Sequence, residues 1–413
     1  MRVLLYIEPV AFREDPLMLS PWVGWFARLV RSCKLARPRW QFGLVSNPSI
    51  CERMTSETPA VEMSAFSASQ SDLLRAFEFD RGAYARDLFR YESDSPSNAA
   101  LIRRLTEVKQ AFHPDLVLSF SQNRYVRPVL QTPALFIELG PLPRSVTRPH
   151  FYLDPLGHQT ESLLVTEIRT ITSRPLAAQR QREVQRFWLE TCEQPITAAS
   201  STADLQAFLH ESRRGRKVVL LALQPPDWLT YEGAWRSLSV SGLMMHWLDN
   251  LPANAVGCVS YHPLHQISLD FEQLFEREHD NVLFLPQAWR QGCSEYLLPL
   301  VDATVTISSS LGAQSALWGK PLLAVGSSQL SGLSGDRSWK TLLEPPVNTT
   351  RWALLEFFTH RYCHPADLLL DDGDYTASFL EGWRTSGFSV SYFLDTRAWQ
   401  RAEAERRFTI AAS

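Results

Sequence analysis

The sequence lacks the short motifs that announce several large enzyme classes. It has no GxxxxGK[ST] phosphate loop, no GxGxxG after its first apolar run, no HExxH and no GxSxG, which argues against P-loop hydrolases, dinucleotide-dependent dehydrogenases, zinc proteases and serine hydrolases of the nucleophile-elbow type. Its six cysteines (Cys33, Cys51, Cys192, Cys258, Cys293, Cys363) are widely spaced, with no CxxC pair and no histidine at zinc-finger spacing. A disulfide scaffold and a zinc finger are thereby set aside, and the cysteines read as buried free thiols of a reducing compartment. No stretch approaches the roughly 20 apolar residues of a membrane helix. The opening run Val3 to Ile7 stops at Glu8, too early for the apolar core of a signal peptide. A cytoplasmic protein is expected.

Charge of one sign is also missing. The formal net charge is -3, so no general attraction to nucleic acid or to an anionic membrane is expected. The local exception is Lys34, Arg37 and Arg39, which follow the amphipathic run Trp22, Trp25, Phe26, Leu29 and Val30. That patch fits a solvated helix end, or a peripheral contact with the inner membrane or an anionic acceptor. No short-period repeat or low-complexity segment is present.

What is present is a globular chain of 413 residues, 45% hydrophobic and 21% charged, a length that suggests two domains at roughly 100 to 200 residues each. Short aliphatic runs alternate with helical patterns, the signature of parallel strands covered on both faces by helices. The runs are Val3 to Ile7, Phe42 to Val45, Leu116 to Phe120 and Ala134 to Glu138, then Val218 to Leu223, Ala255 to Tyr261, Val282 to Leu285, Ala303 to Ile307 and Pro321 to Val325. Helices are expected over Ser71 to Phe89, Asn98 to Phe112 and Ala177 to Leu209. The basic tract at 213–217 marks the boundary. The reading is an N-terminal Rossmann-like domain over 1–210, a second over 211–390, and a C-terminal helix in 391–413 that crosses back to the first. Ligands of such sheets bind at the carboxyl ends of the strands.

Four segments at strand ends carry chemistry. In the first, the run Ala303 to Ile307 leads into Ser308, Ser309 and Ser310, and a helix begins near Leu311 or Gly312. Free amides and the positive end of the helix dipole make such a start an anion site, and Gly312 permits close approach; the same serines also fit a plain helix cap. In the second, His262 before Pro263 is held extended and can offer an imidazole to a phosphate or carboxylate. In the third, Gln224 and Asp227 follow the strand Val218 to Leu223, and Asp227 reads as nucleophile, base or turn former. In the fourth, Glu138 ends a strand and Arg144 lies in the Gly/Pro loop beyond it. Glu138 is a candidate acid or base, with Asp154 and Glu161 as competitors, and Arg144 can meet an anionic sugar. The quartet Asp371-Asp372-Gly373-Asp374 imitates a metal-binding DxD, but its apolar lead-in is short and a solvated turn is the better reading.

Together, His262-Pro263 and Ser308 to Gly312 resemble the bacterial capsule-polysaccharide-biosynthesis family and its retaining β-Kdo transferases. The run Leu311 to Pro321 is similar to that family's "GxEALLxGKPV", with Gln314 standing where the family has Glu. The resemblance covers about 110 residues of the second half. It implies an α/β GT-B fold, two Rossmann-like domains facing a central cleft, and a metal-independent transferase that takes its sugar from CMP-β-Kdo. His262, Pro263, Ser308, Ser309, Ser310, Gly312, Gln224, Gln314 and Arg144 would bind the donor. Asp227 would be the nucleophile of a double displacement and Glu138 the acid or base. The acceptor would be a hydroxyl of a bacterial surface glycan, O-antigen or capsule, free or lipid-linked, and no cofactor or nucleic acid is implied. An inverting CMP-sialic acid transferase and a non-catalytic glycan-binding module are the alternatives.

Overall fold

Apolar runs buried on both faces are satisfied as interior strands of parallel sheets. The computed structural model describes residues 1–10, 20–89, 98–226, 228–235, 239–262, 267–290, 292–346 and 350–394. Its strands are β1 (Arg2–Tyr6), β2 (Gln41–Ser46), β3 (Met63–Ser67), β4 (Leu116–Ser119), β5 (Ala134–Leu139), β6 (His150–Asp154), β7 (Lys217–Ala222), β8 (Ala255–Ser260), β9 (Val282–Phe284), β10 (Ala303–Thr306), β11 (Leu322–Ala324) and β12 (Cys363–Pro365). They form a seven-stranded sheet, β12-β6-β5-β4-β1-β2-β3, and a five-stranded sheet, β11-β10-β7-β8-β9. All neighbours pair in parallel except β5 with β6 and β6 with β12. The α/β class with two parallel cores is as expected from the sequence.

Renumbered from its own first strand, each parallel core has the order 3-2-1-4-5. In such a doubly wound sheet the connections reverse direction between the first and fourth strands, and the loops there part to leave room for a ligand. That point falls between β1 and β4 in one sheet and between β7 and β10 in the other.

The chain divides into two compact units. Among the described residues, one comprises Met1–Gly140, Pro149–Leu163 and 360–394; the other comprises Pro141–Arg148 and Leu164–Thr359. The division therefore falls near 163, not at 210. The helical stretch that the sequence places in the first domain covers the five-stranded sheet instead: Leu205 and Leu209 are buried against Val218, Leu220, Cys258 and Leu297, and Trp188 lies edge-on to Trp318. Periodicity gives a helix its apolar face but not the sheet that face will cover. The same stretch is not one helix. It runs as Ala178–Phe187, a wide-turn segment Trp188–Glu193, Gln194–Ala198 and Ser200–Ser212, with Ala199 extended. The helix expected over Ser71 to Phe89 is likewise broken, at Glu78 and Phe79, whose φ angles are 52° and 65°.

The return to the first unit begins earlier than 391. β12 adds to β6, and the helices Ala366–Asp371 and Gly373–Thr385 pack on the helix Ser20–Ala36. Residues 395–413, where the terminal helix was expected, lie outside the described residues. The acidic quartet is built into this packing. Asp371 pairs with Arg28 at 2.5 Å, Asp374 with Arg37 at 2.7 Å, and the Asp372 carboxylate accepts from the Tyr375 amide at 2.9 Å as a helix cap. Arg37 of the basic patch is thus engaged by Asp374 and Glu381. The tryptophans ahead of that patch face the sheet, Trp22 stacked on Phe120 at 3.6 Å and Trp25 edge-on to Phe151. Among the described residues no helix is long and apolar enough to cross a membrane. All six cysteines are buried and free.

At Gly373 a Cβ would overlap the backbone carbonyl of Ser32 on the neighbouring helix. Backbone cannot yield as a side chain can, so Gly373→Ala is expected to cost about 2 to 3 kcal/mol, read as a lower melting temperature. An unchanged melting curve would show that this helix pair is not close-packed.

Candidate functional site

The five-stranded sheet places three of the expected residues in one row. Ser260 of β8 is in register with Ala222 of β7, and Ala222 with Thr306 of β10. Two residues beyond this row come His262, Gln224 and Ser308. Adjacent strands are about 4.8 Å apart, so the three residues follow the carboxyl ends of neighbouring strands, with Gln224 and Ser308 flanking the reversal point.

Gln224 bridges that point. Its Oε1 accepts from the Ser308 amide at 2.8 Å, and its Nε2 donates to Ser308 Oγ at 2.9 Å. Both residues are buried, so each polar atom needs such a partner. Ser309 follows in an extended conformation (φ -64°, ψ 139°) and caps the helix Ser310–Leu317, its Oγ accepting from the Leu311 amide at 3.3 Å. An extended cap leaves the Ser309 and Ser310 amides with no acceptor in the helix. The serines therefore cap the helix and also leave donors at its positive end.

Gly312 has a different role from the one its position suggests. A Cβ there would lie 2.6 Å from Leu330 and 3.1 Å from both Leu322 and Thr306. The glycine lets the helix approach the sheet, and the helix then ends at Gly319, which has a φ of 69°.

Arg144 reaches the same helix start, its Nη2 donating to Ser310 Oγ at 3.3 Å. The loop that carries it is held by Glu295, which the sequence analysis did not select. One carboxylate oxygen of Glu295 accepts from the Arg144 amide at 2.9 Å and from Gln314 Nε2 at 2.8 Å; the other accepts from the Ser145 amide at 2.8 Å. This accounts for Gln314: a glutamate there would bring a second carboxylate against Glu295, whereas the amide supplies a donor. Gln314 is fully buried. No local pattern marks Glu295, because its partners lie about 150 residues earlier and 19 residues later.

His262 is partly buried, with its ring edge-on to Trp228 at 5.3 Å. The strand end that carries it is braced by the neighbouring Tyr261, whose hydroxyl donates to Glu272, itself paired with Arg290. Pro263 and Asp227 lie outside the described residues.

The carboxylates of the seven-stranded sheet divide differently from the expectation. Glu138 is half-buried within β5, opposite Tyr152 of β6, with Oε1 accepting from the Leu139 amide at 2.8 Å. Asp154 is fully buried and organises its loop: Oδ1 accepts from the Leu156 and Gly157 amides at 2.8 and 3.1 Å, Oδ2 from the Leu163 amide and the Tyr362 hydroxyl at 2.8 Å each. Its bonds run to its own unit's frame, so it is withdrawn as a competitor for acid or base. Glu161 accepts from Gln122 Nε2 at 3.2 Å. At this sheet's own reversal point lies Glu8, which the sequence reading treated only as the end of an apolar run. It accepts from Tyr6 at 2.9 Å and from Tyr84, and Asn123 after β4 donates to Tyr6.

Burial moves the two enclosed carboxyls, overcoming their hydrogen bonds. Asp154 rises from 3.8 to about 6 and Glu8 from 4.5 to about 6. Among the described residues no group of three or more His, Cys, Asp or Glu side chains is placed to hold a metal ion.

No protein family matches the sequence, and no curated protein matches it. Among solved structures, the chain is similar to Thermosulfurimonas dismutans KpsC, a beta Kdo 2,7 transferase, at 13% identity over 84% of this chain and 99% of that one, with a TM-score of 0.45. A KpsC beta Kdo 2,4 transferase of the same organism matches at 15% identity over 61% and 81%, TM-score 0.36. Anabaena HepE, solved with UDP and glucose, matches at 11% identity over 93% and 100%, TM-score 0.32.

Two outcomes test this geometry. Glu295→Ala strips the acceptor from the Arg144 and Ser145 amides. Their hydrogen exchange should accelerate roughly tenfold or more, with a stability loss of about 1 to 3 kcal/mol; unchanged exchange would show that the loop is held by other contacts. The raised pKa values set a sign for pH. A carboxyl whose folded pKa exceeds its unfolded one contributes stability that is fully present below the unfolded value and lost as pH rises through the folded one. Asp154 and Glu8 should therefore make the protein lose stability between about pH 4 and pH 6, on the order of 2 kcal/mol each. Asp154→Asn should flatten that slope in urea unfolding even though the variant is less stable overall.

Proposed function

We propose that the protein is a GT-B glycosyltransferase that transfers Kdo from CMP-β-Kdo to a hydroxyl of a bacterial surface glycan with retention of configuration. The observation that carries this reading is the start of the helix Ser310–Leu317. There Ser308 is held by Gln224, Ser309 caps, the Ser309 and Ser310 amides have no helical acceptor, and the Arg144 guanidinium bonds to Ser310. Amides, hydroxyls and a guanidinium at the positive end of a helix suit a phosphate monoanion of the kind that links CMP to its sugar. His262, in the same row, supplies a further donor when its ring carries the proton.

In the proposed chemistry a carboxylate oxygen of Asp227 bonds to the anomeric carbon of Kdo as the bond from that carbon to the CMP phosphate breaks. CMP leaves with the electron pair. An acceptor hydroxyl then attacks the same carbon and displaces Asp227, its proton passing to a carboxylate for which Glu138 is the candidate. Two inversions at one centre give retention. The anomeric carbon of a 2-keto sugar acid is fully substituted, so each step passes through an oxocarbenium-like state that a nearby carboxylate stabilises. The family resemblance of His262-Pro263 and Ser308 to Gly312 supports the same donor. The tertiary role of Gln314 beside Glu295 supplies a reason for its departure from the family's glutamate.

Incubation with CMP-Kdo generated in situ and a panel of rhamnose, galactose and N-acetylglucosamine acceptors should yield a Kdo glycoside. Asp227→Asn should lower turnover by roughly 10³-fold or more while still binding CMP, and His262→Ala should weaken CMP binding by about tenfold. Intact-protein mass spectrometry during turnover should detect a Kdo adduct on wild type. An active Asp227→Asn variant removes the nucleophile, and transfer without an adduct points to inversion. If the protein neither binds CMP nor hydrolyses the donor, the transferase reading fails.

A further inference from the structure

The second unit contains a cavity of about 490 Å³, within the roughly 300 to 1,000 Å³ of small-molecule sites. It opens beside Gly319 and Lys320, at the far end of the helix whose start forms the site described above. Eight residues at 1.5 Å each separate the two ends by about 12 Å, so this is a different place in the unit.

Its charge is one-sided. Arg169, Lys320, Arg337 and Arg351 line it, against one carboxylate, Asp336. Among the described residues none of the four cations is in an ion pair, although the same unit pairs Arg290 with Glu272 and Lys217 with Asp302. The donors are only partly used. Lys320 Nζ donates to the Pro299 carbonyl at 3.1 Å, and Arg337 Nη1 to the carbonyls of Thr341, Leu342 and Glu344. Arg351 lies 3.9 Å over the Trp352 ring. Nε and Nη2 of Arg337, and all the donors of Arg169 and Arg351, reach no protein acceptor among the described residues. Burial holds Lys320, Arg337 and Arg351 below their ordinary pKa values, outweighing the attraction of one acidic group near each, Asp302, Glu344 and Glu193 respectively. Gathering like charges around a hollow is unfavourable unless an anion offsets them. Leu322, Leu333 and Leu354 add apolar wall suited to a sugar ring rather than to a bare inorganic ion.

We infer that this cavity binds a sugar carrying two or more anionic groups, phosphate or carboxylate, at a site separate from the proposed CMP site. The inference does not depend on the identity of the donor. It also places the anion recognition of this near-neutral chain in a local cluster that net charge conceals.

Calorimetry with two probes tests it, glucose 1,6-bisphosphate for a phosphorylated ligand and tri-galacturonate for an acidic glycan. Saturable binding of at least one is expected, and the tighter of the two identifies the source of the anion. The double variant Arg169→Ala/Arg351→Ala should weaken that binding by at least about tenfold and leave CMP titrations and the melting temperature unchanged. Lys320 and Arg337 are spared in this variant because they hold backbone carbonyls. Absence of binding by both probes up to ~10 mM, or equal binding by the double variant, overturns the site. A protein that ignores CMP but binds a probe through Arg169 and Arg351 would lose the transferase reading and keep this one.

Discussion

The carboxamide of Gln224 stands in for a missing strand. The paired register of β7 and β10 ends at Ala222 and Thr306, where the connections of a doubly wound sheet turn opposite ways. Beyond that row the backbone of Ser308 has no neighbouring strand to bond, and one side chain supplies both the acceptor for its amide and a donor for its hydroxyl. Because Ser308 is fixed, Ser309 can stay extended and cap the next helix. The donors at that helix start are therefore aimed by the sheet and not by the loop alone.

The two units repeat one topology and use its reversal point in opposite ways. At the first, Tyr6, Glu8, Tyr84 and Asn123 bond one another and close the space. At the second, hydroxyls and amides are left at the edge with an arginine among them. A shared fold thus does not imply a shared chemistry. Glu8, a buried carboxyl just beyond β1, is enclosed by its own tyrosines, whereas the groups in the second unit lie at the helix start beside Arg144.

Glu295 shows how one buried-side contact sets the identity of another residue. By holding the Arg144 and Ser145 amides it positions a guanidinium at the helix start. In doing so it demands a donor from position 314, which a glutamine provides. The charge of the second unit follows a similar local logic: Lys217 and Arg290 are paired with carboxylates, whereas among the described residues the cations around the cavity are in no ion pair.

The strands of both parallel cores were legible as aliphatic runs, because a strand buried on both faces must be apolar throughout. Serines after such a run, ahead of a helix, were legible as a cap, since capping follows from backbone chemistry at short range. The polar edge strand β3, the antiparallel β6 and β12, and the break at Glu78 and Phe79 carry no comparable local signal. The sequence by itself determined the α/β class, the periodic faces of the helices and the residue types at the strand ends. Only the tertiary structure decided that the helices after residue 177 cover the second sheet, that Gly312 serves packing, that Asp154 is a frame residue, and that Glu295 governs Arg144. The reason is that these depend on contacts between residues far apart in the chain, and a local pattern specifies that a face is apolar or a group is charged without specifying its partner.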